Sequence, residues 1–156
     1  MICEKLKKYL DENGVKYEVL RHGEAFTAQE IAAAMHVKGK MLVKVVIVNS
    51  DRGHIMVALP ADRRVDIAAL RADLGLKMAA LATEEEFKRL FPDCDVGAMP
   101  PFGNLYNIPV YVDKSLTLDK DIVIQAGTHY EAIRLDYADF DRLVRPKVLE
   151  ASRKAA

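Results

Sequence analysis

The sequence predicts an α+β domain, on three observations: helical and strand patterns interleave, hairpin connections outnumber β-helix-β crossovers, and no internal repeat or long linker divides the chain. We expect a single domain over residues 1–150, built on one curved, mixed or mostly antiparallel sheet with surrounding helices, and a frayed tail over 151–156. With 156 residues, 51% apolar and 29% charged, the chain can bury one sizeable core.

Residues Cys3–Glu12 read as an amphipathic helix with Leu6, Tyr9 and Leu10 inward, stopped by Asn13-Gly14. A short strand from Tyr17 to Arg21 leads to His22-Gly23. Thr27-Ala28-Gln29-Glu30 has capping-box spacing and opens a second helix ending near Val37. Met41–Val48 is a strand with apolar residues on both faces, and Asn49–Gly53 turns it back through His54–Leu59 as a hairpin. Pro60–Arg64 breaks that strand, after which Asp66 caps a helix running to Leu74 before Gly75. Lys77–Leu81 is short and extended. Thr83 and Glu86 repeat the capping-box spacing ahead of Phe87, Leu90 and Phe91. Further on, Ile108–Val112 is a strand closed by Asp113, Asp121–Gln125 pairs with Glu131–Leu135, and a last helix over Tyr137–Val144 stops before Pro146.

Composition excludes several functions. The 23 basic and 23 acidic residues cancel, so no overall positive field supports non-specific binding to long nucleic acid, and a nucleic-acid partner has to be gripped locally. Basic residues do gather near the ends, as Lys5, Lys7 and Lys8 and then Arg142, Arg145, Lys147, Arg153 and Lys154; solvated helix faces explain them as well as a binding patch does. No apolar run nears the roughly 20 residues of a membrane span, and the N-terminal region has no apolar signal core, so a cytoplasmic protein is expected. Cys3 and Cys94 lack the spacing of a zinc site and read as free thiols, and His22, His36, His54 and His129 are scattered, so no metal or cofactor is expected. Gly-x-Ser-x-Gly and the glycine-rich phosphate signatures are missing.

Two features remain. Lys44 interrupts an apolar strand, and an ammonium there has to snorkel from a strand edge, meet a carboxylate, or face a pocket for an anionic or carbonyl ligand. Gly97-Ala98-Met99-Pro100-Pro101-Phe102-Gly103 is a stiff loop whose backbone groups are available to a small ligand, with Phe102 as its apolar anchor; the bland alternative is an ordinary tight connection.

Lys44, Leu59-Pro60-Ala61-Asp62, the Gly97-x-x-x-Pro101 loop with Phe102-Gly103, Val112-Asp113 and Ala126-Gly127 occur in this order, at similar separations, in one family. The chain resembles a free-standing member of the YbaK and prolyl-tRNA synthetase-associated family of aminoacyl-tRNA deacylases, over roughly residues 5–148. The resemblance implies a trans-editing hydrolase that cleaves the ester of mischarged tRNA at its 3′ aminoacyl end, in association with a synthetase and with no cofactor. It implies catalytic roles for Lys44, Gly97 and Pro101. Ala98, Met99, Pro100, Phe102, Gly103, Asp113 and, less directly, His129 are the expected substrate-binding residues, with Met99 and Phe102 setting the pocket's size. Ala, Ser, Thr and Cys are the expected amino acids; the stretch from Asn104 departs from the serine/threonine-editing branch. Two other readings stay open: a non-catalytic module binding a tRNA end or a synthetase, and a small-molecule ester or amide hydrolase.

Overall fold

The structure is a computed structural model that describes residues 3–21, 41–150 and 152–154. The expected helix over Thr27–Val37, and with it His22 and His36, lies outside the described residues.

Local sequence rules set most of the elements. Helix α1 (Glu4–Glu12) buries Leu6 and Leu10, four residues apart on one face, and Gly14 follows it with φ +66°. Helix α2 (Ile67–Leu74) starts where the Asp66 carboxylate accepts from the Ala69 amide at 3.1 Å and ends at Gly75 in the left-handed conformation. Helix α3 (Glu84–Leu90) carries the complete capping box of Thr83 and Glu86. Helix α4 (Tyr137–Val144) turns Phe140 inward.

Among the described residues the strands form three sheets, mixed or antiparallel as expected, where one sheet was expected. β2 (Val43–Ser50) and β3 (Gly53–Pro60) make the anticipated hairpin around Asp51-Arg52, and with β5 (Ala79–Leu81), β6 (Val110–Asp113) and β9 (Lys147–Leu149) they give a mixed sheet of order β5-β2-β3-β6-β9. β1 (Tyr17–Arg21), β8 (Glu131–Asp136) and β7 (Asp121–Gln125) form a three-stranded antiparallel sheet, and β4 (Arg63–Val65) pairs with β10 (Ser152–Lys154) as a ribbon. A parallel bridge from Leu42 to Val123 ties the start of β2 to β7. The expected fraying therefore does not extend over residues 152–154: backbone pairing to β4 and the Ser152 side chain hold that stretch in place.

Each face of the five-stranded sheet has its own core. Val43, Ile47, Met56 and Ala58 face α1, Phe87, Phe91 and Phe140, whereas Val48, Ile55, Val57 and Leu59 face Leu70 and Leu76. Period-two alternation therefore sends Lys44, beside Leu59 in the register, toward the second face.

Candidate active site

Lys44 is half-buried, and its Nζ donates to the main-chain oxygen of Arg63 in β4. That contact uses one of three ammonium donors and leaves two for a ligand. Burial pulls the Lys44 pKa below its ordinary 10.5, the Arg64 charge pulls the same way, and Asp62 opposes both. In β4 and β10, Arg64 and Arg153 stand opposite each other and both are exposed. Arg64 is thus near enough for its charge to act on Lys44, and Arg153 lies across the ribbon from Arg64.

Asp113 follows Val112, the partner of Ala58, so it lies on the same sheet face as Lys44, one strand beyond Leu59. Its carboxylate is occupied by protein groups. Oδ1 accepts from the Ser152 hydroxyl at 2.6 Å; Oδ2 accepts from the Ser115 amide at 3.1 Å and from the Ser115 hydroxyl; and the Arg63 Nε stands 3.9 Å away. Arg63 in turn donates to the Ser152 hydroxyl at 2.6 Å and to its carbonyl at 3.0 Å. The expected substrate-binding aspartate is therefore an anchor for β4, β10 and the 3₁₀ turn Lys114–Leu118, and its ion-pair partner is Arg63, not Lys44.

The 97–103 loop follows α3 and docks on the turn after β7. The Asp95 amide donates to the Gly127 carbonyl at 2.7 Å, the Gly127 amide to the Ala98 carbonyl at 2.8 Å, and the His129 amide to the Asp95 carboxylate at 3.2 Å. Sequence-distant Gly97 and His129 are thereby placed on one rim. Gly97 takes φ +83°, is exposed, and has open space where a Cβ would point. Among the described residues the Gly97 and Met99 amides donate to no backbone carbonyl. Ala98, Pro100 and Pro101 are buried beneath the rim.

Met99 and Phe102 differ from expectation. Both lie in the core, 3% and 0% exposed, and Phe102 packs edge-on against Tyr9 and Phe140 with ring centroids 6.2 and 5.6 Å away. Among the described residues they support the loop from beneath, as part of the core. Gly103 is a steric requirement: a Cβ there would stand 2.5 Å from the Ile108 carbonyl oxygen.

The rim and Lys44 occupy the same end of the molecule. β2 and β7 run parallel through the Leu42–Val123 bridge, so Lys44 lies level with Gln125, two residues before Gly127. The Lys44 side chain leaves on the sheet face opposite the core that holds Met99 and Phe102.

Other side chains able to act as nucleophiles or cations have structural employment. The Ser50 hydroxyl bonds the Gly53 carbonyl, while Ser115 and Ser152 bond Asp113. Burial pushes the Cys94 thiol up to about 12, which leaves it protonated and poorly nucleophilic at neutral pH. Lys7 and Lys8 pair with Asp11 and Glu12 one helical turn on, as solvated helix faces do. An open groove between α1 and β1, bordered by Lys8, Tyr17 and Arg21, includes neither Lys44 nor the rim. No helix among the described residues is long and apolar enough to cross a membrane.

The α+β fold is shared with known proteins, and the comparison with them gives the family. The chain belongs to the aminoacyl-tRNA editing domain family, whose model matches residues 22–143, and as such it is an aminoacyl-tRNA deacylase. It is similar to the prolyl-tRNA editing protein ProX of Acetoanaerobium sticklandii, with 22% identity over 87% of this chain and 86% of that protein. It is also similar to the proline-tRNA ligase of Thermosipho melanesiensis, with 26% identity over 81% of this chain but 22% of the ligase. Among solved structures, a hypothetical protein superposes with a TM-score of 0.85 at 24% identity, covering 96% of this chain and 99% of that one. A candidate trans-editing enzyme for prolyl tRNA synthetase superposes with 0.81 at 22% identity, covering 99% and 97%. These structural likenesses carry the fold.

Proposed function

We propose that this deacylase acts in trans on the proline-accepting tRNA, in the cytoplasm, hydrolysing the ester of a wrongly attached small amino acid: Ala, Ser, Thr or Cys. The observation that carries the proposal is the hydrogen-bonded rim of Asp95–Ala98 and Gly127–His129, which presents Gly97 level with the strand that carries Lys44. The names of the relatives, a prolyl-tRNA editing protein and a proline-tRNA ligase, support the choice of tRNA.

The chemistry asks little of the protein. Water attacks the ester carbonyl carbon, negative charge gathers on the carbonyl oxygen, and the ribose oxygen of the terminal adenosine leaves with a proton. An ester needs no protein nucleophile once its carbonyl is oriented and that charge is stabilised. In this reading the Gly97 and Met99 amides orient the aminoacyl ester, and Lys44 uses its two remaining donors on the terminal phosphate or the developing oxyanion. Arg64 and Arg153 hold phosphates farther along the acceptor end, a local grip in a chain of zero net charge. Asp113 acts at one remove, fixing Arg63, whose carbonyl aims the lysine.

Such an enzyme answers a limit of synthetase specificity. Excluding a smaller amino acid from a larger pocket gains only about 1–3 kcal/mol per methylene, so a second site has to remove the errors. The test is deacylation of the same tRNA charged in turn with Ala, Ser, Thr, Cys and Pro. Release of one or more small residues with Pro retained is expected, and turnover of none of the small ones rejects the assignment. Equal rates on free aminoacyl esters would favour a small-molecule hydrolase instead.

A further inference from the structure

Four polar groups that the deacylase chemistry does not use converge beside the rim. The Cys3 Sγ lies 3.1 Å from an Asp93 carboxylate oxygen, and the Cys94 Sγ is 3.8 Å from the other. The Tyr106 hydroxyl stands 3.1 Å from both oxygens, 3.8 Å from the Cys3 Sγ and 3.6 Å from the Cys94 Sγ. The two thiols and the carboxylate all fall within 4.8 Å of one another. Four ligands held tetrahedrally at zinc distances are themselves about 3.3–3.8 Å apart, and the thiol, carboxylate and hydroxyl separations of 3.1–3.8 Å are of that size, with the two sulfurs within 4.8 Å of each other.

We propose that Cys3, Asp93 and Cys94 bind one thiophilic divalent cation, zinc by preference, with the Tyr106 hydroxyl at the fourth corner. Two soft sulfur donors beside one carboxylate suit zinc better than magnesium or calcium, which take all-oxygen shells. Charge agrees as well. Two thiolates and a carboxylate around a divalent ion leave one negative charge, and the Lys5 ammonium sits 4.6 Å from the centre of the Tyr106 ring to balance it. The site is reachable because Asp93 is exposed and Cys94 half-buried, while Cys3 closes it from the buried side.

The location gives the ion a task. The Cys3 amide donates to the Ala126 carbonyl at 2.6 Å, and Asp95, two residues after Asp93, bonds Gly127. A cation here would clamp the start of α1 to both halves of the rim, as a structural metal rather than a reacting one. Binding is independent of the deacylase reading and is read without any activity measurement.

The experiment titrates the full reduced chain with cobalt(II) chloride under anaerobic conditions, then adds zinc chloride. Expected is a thiolate-to-cobalt charge-transfer band that saturates at one ion per chain and is abolished by zinc, with zinc also protecting both thiols from alkylation. In Cys94→Ser and Asp93→Asn, altered at accessible positions and checked for folding by circular dichroism, affinity should fall at least about 100-fold. A wild type without a saturable band overturns the proposal. So does equal binding by folded Cys94→Ser, or joint loss of the two thiols to a disulfide in air despite zinc.

Discussion

Replacing Gly97 with alanine separates the rim's role in binding from its role in folding. At φ +83° an alanine is strained, and a non-glycine residue in left-handed backbone costs about 1–2 kcal/mol. No atom lies within 4 Å of the added methyl, so no steric cost is added. Gly14 supplies the matched control, since it has φ +66°, likewise meets nothing within 4 Å, and lies at the far end of α1. Gly14→Ala and Gly97→Ala should therefore lose similar stability, roughly 2–8 °C in Tm for a chain of this size, measured by thermal circular dichroism. Their activities should diverge. In Gly97→Ala the methyl occupies the space through which the rim amides meet the ester, so kcat/KM for deacylation should fall at least about tenfold, while Gly14→Ala keeps the wild-type value. Equal activity of the two variants would refute a substrate-binding rim.

Other expectations follow from the same geometry. Because burial lowers the Lys44 pKa below 10.5 and the ammonium is the working form, enzymatic deacylation corrected for spontaneous hydrolysis should decline with rising pH before an ordinary lysine would titrate. Lys44→Arg should move that decline to higher pH, as a pH-rate profile would show. Arg153→Ala should raise KM several-fold at constant kcat and flatten the salt dependence, the mark of a lost phosphate contact in steady-state assays at varied ionic strength. Phe102→Ala removes a fully buried ring wedged between Tyr9 and Phe140 and should cost about 3–5 kcal/mol in denaturant unfolding. Thr83→Ala breaks the capping box for about 1 kcal/mol by the same measurement.

Where a short stretch carried its own physics, the sequence was readable. Asp66 before an apolar helical run and Thr83 three residues ahead of Glu86 each name a helix start, and Asn49–Gly53 between two apolar runs names a hairpin. The strands β4, β9 and β10 were not readable, because three residues such as Arg63-Arg64-Val65 have no period to detect and owe their conformation to the neighbour they pair with. Phe102 shows the limit for the site: an aromatic in a proline-stiffened loop serves a pocket or a core equally well on sequence alone, and only packing against Tyr9 and Phe140 decides for the core. Asp113 was legible as important but not as the partner of Arg63, since Arg63 lies on another strand. The meeting of Cys3 with Cys94 depends on the docking of the chain's start against the rim, which no local spacing records.

The most direct test of the central claim is single-turnover hydrolysis of a small amino acid from the proline-accepting tRNA by wild type and by Lys44→Met, which keeps the stem's length and removes the charge. The mechanism predicts a fold retained by circular dichroism and a rate reduced about 100-fold or more, the scale of losing one stabiliser of the transition-state charge. A folded Lys44→Met protein that clears the ester at the wild-type rate would contradict it.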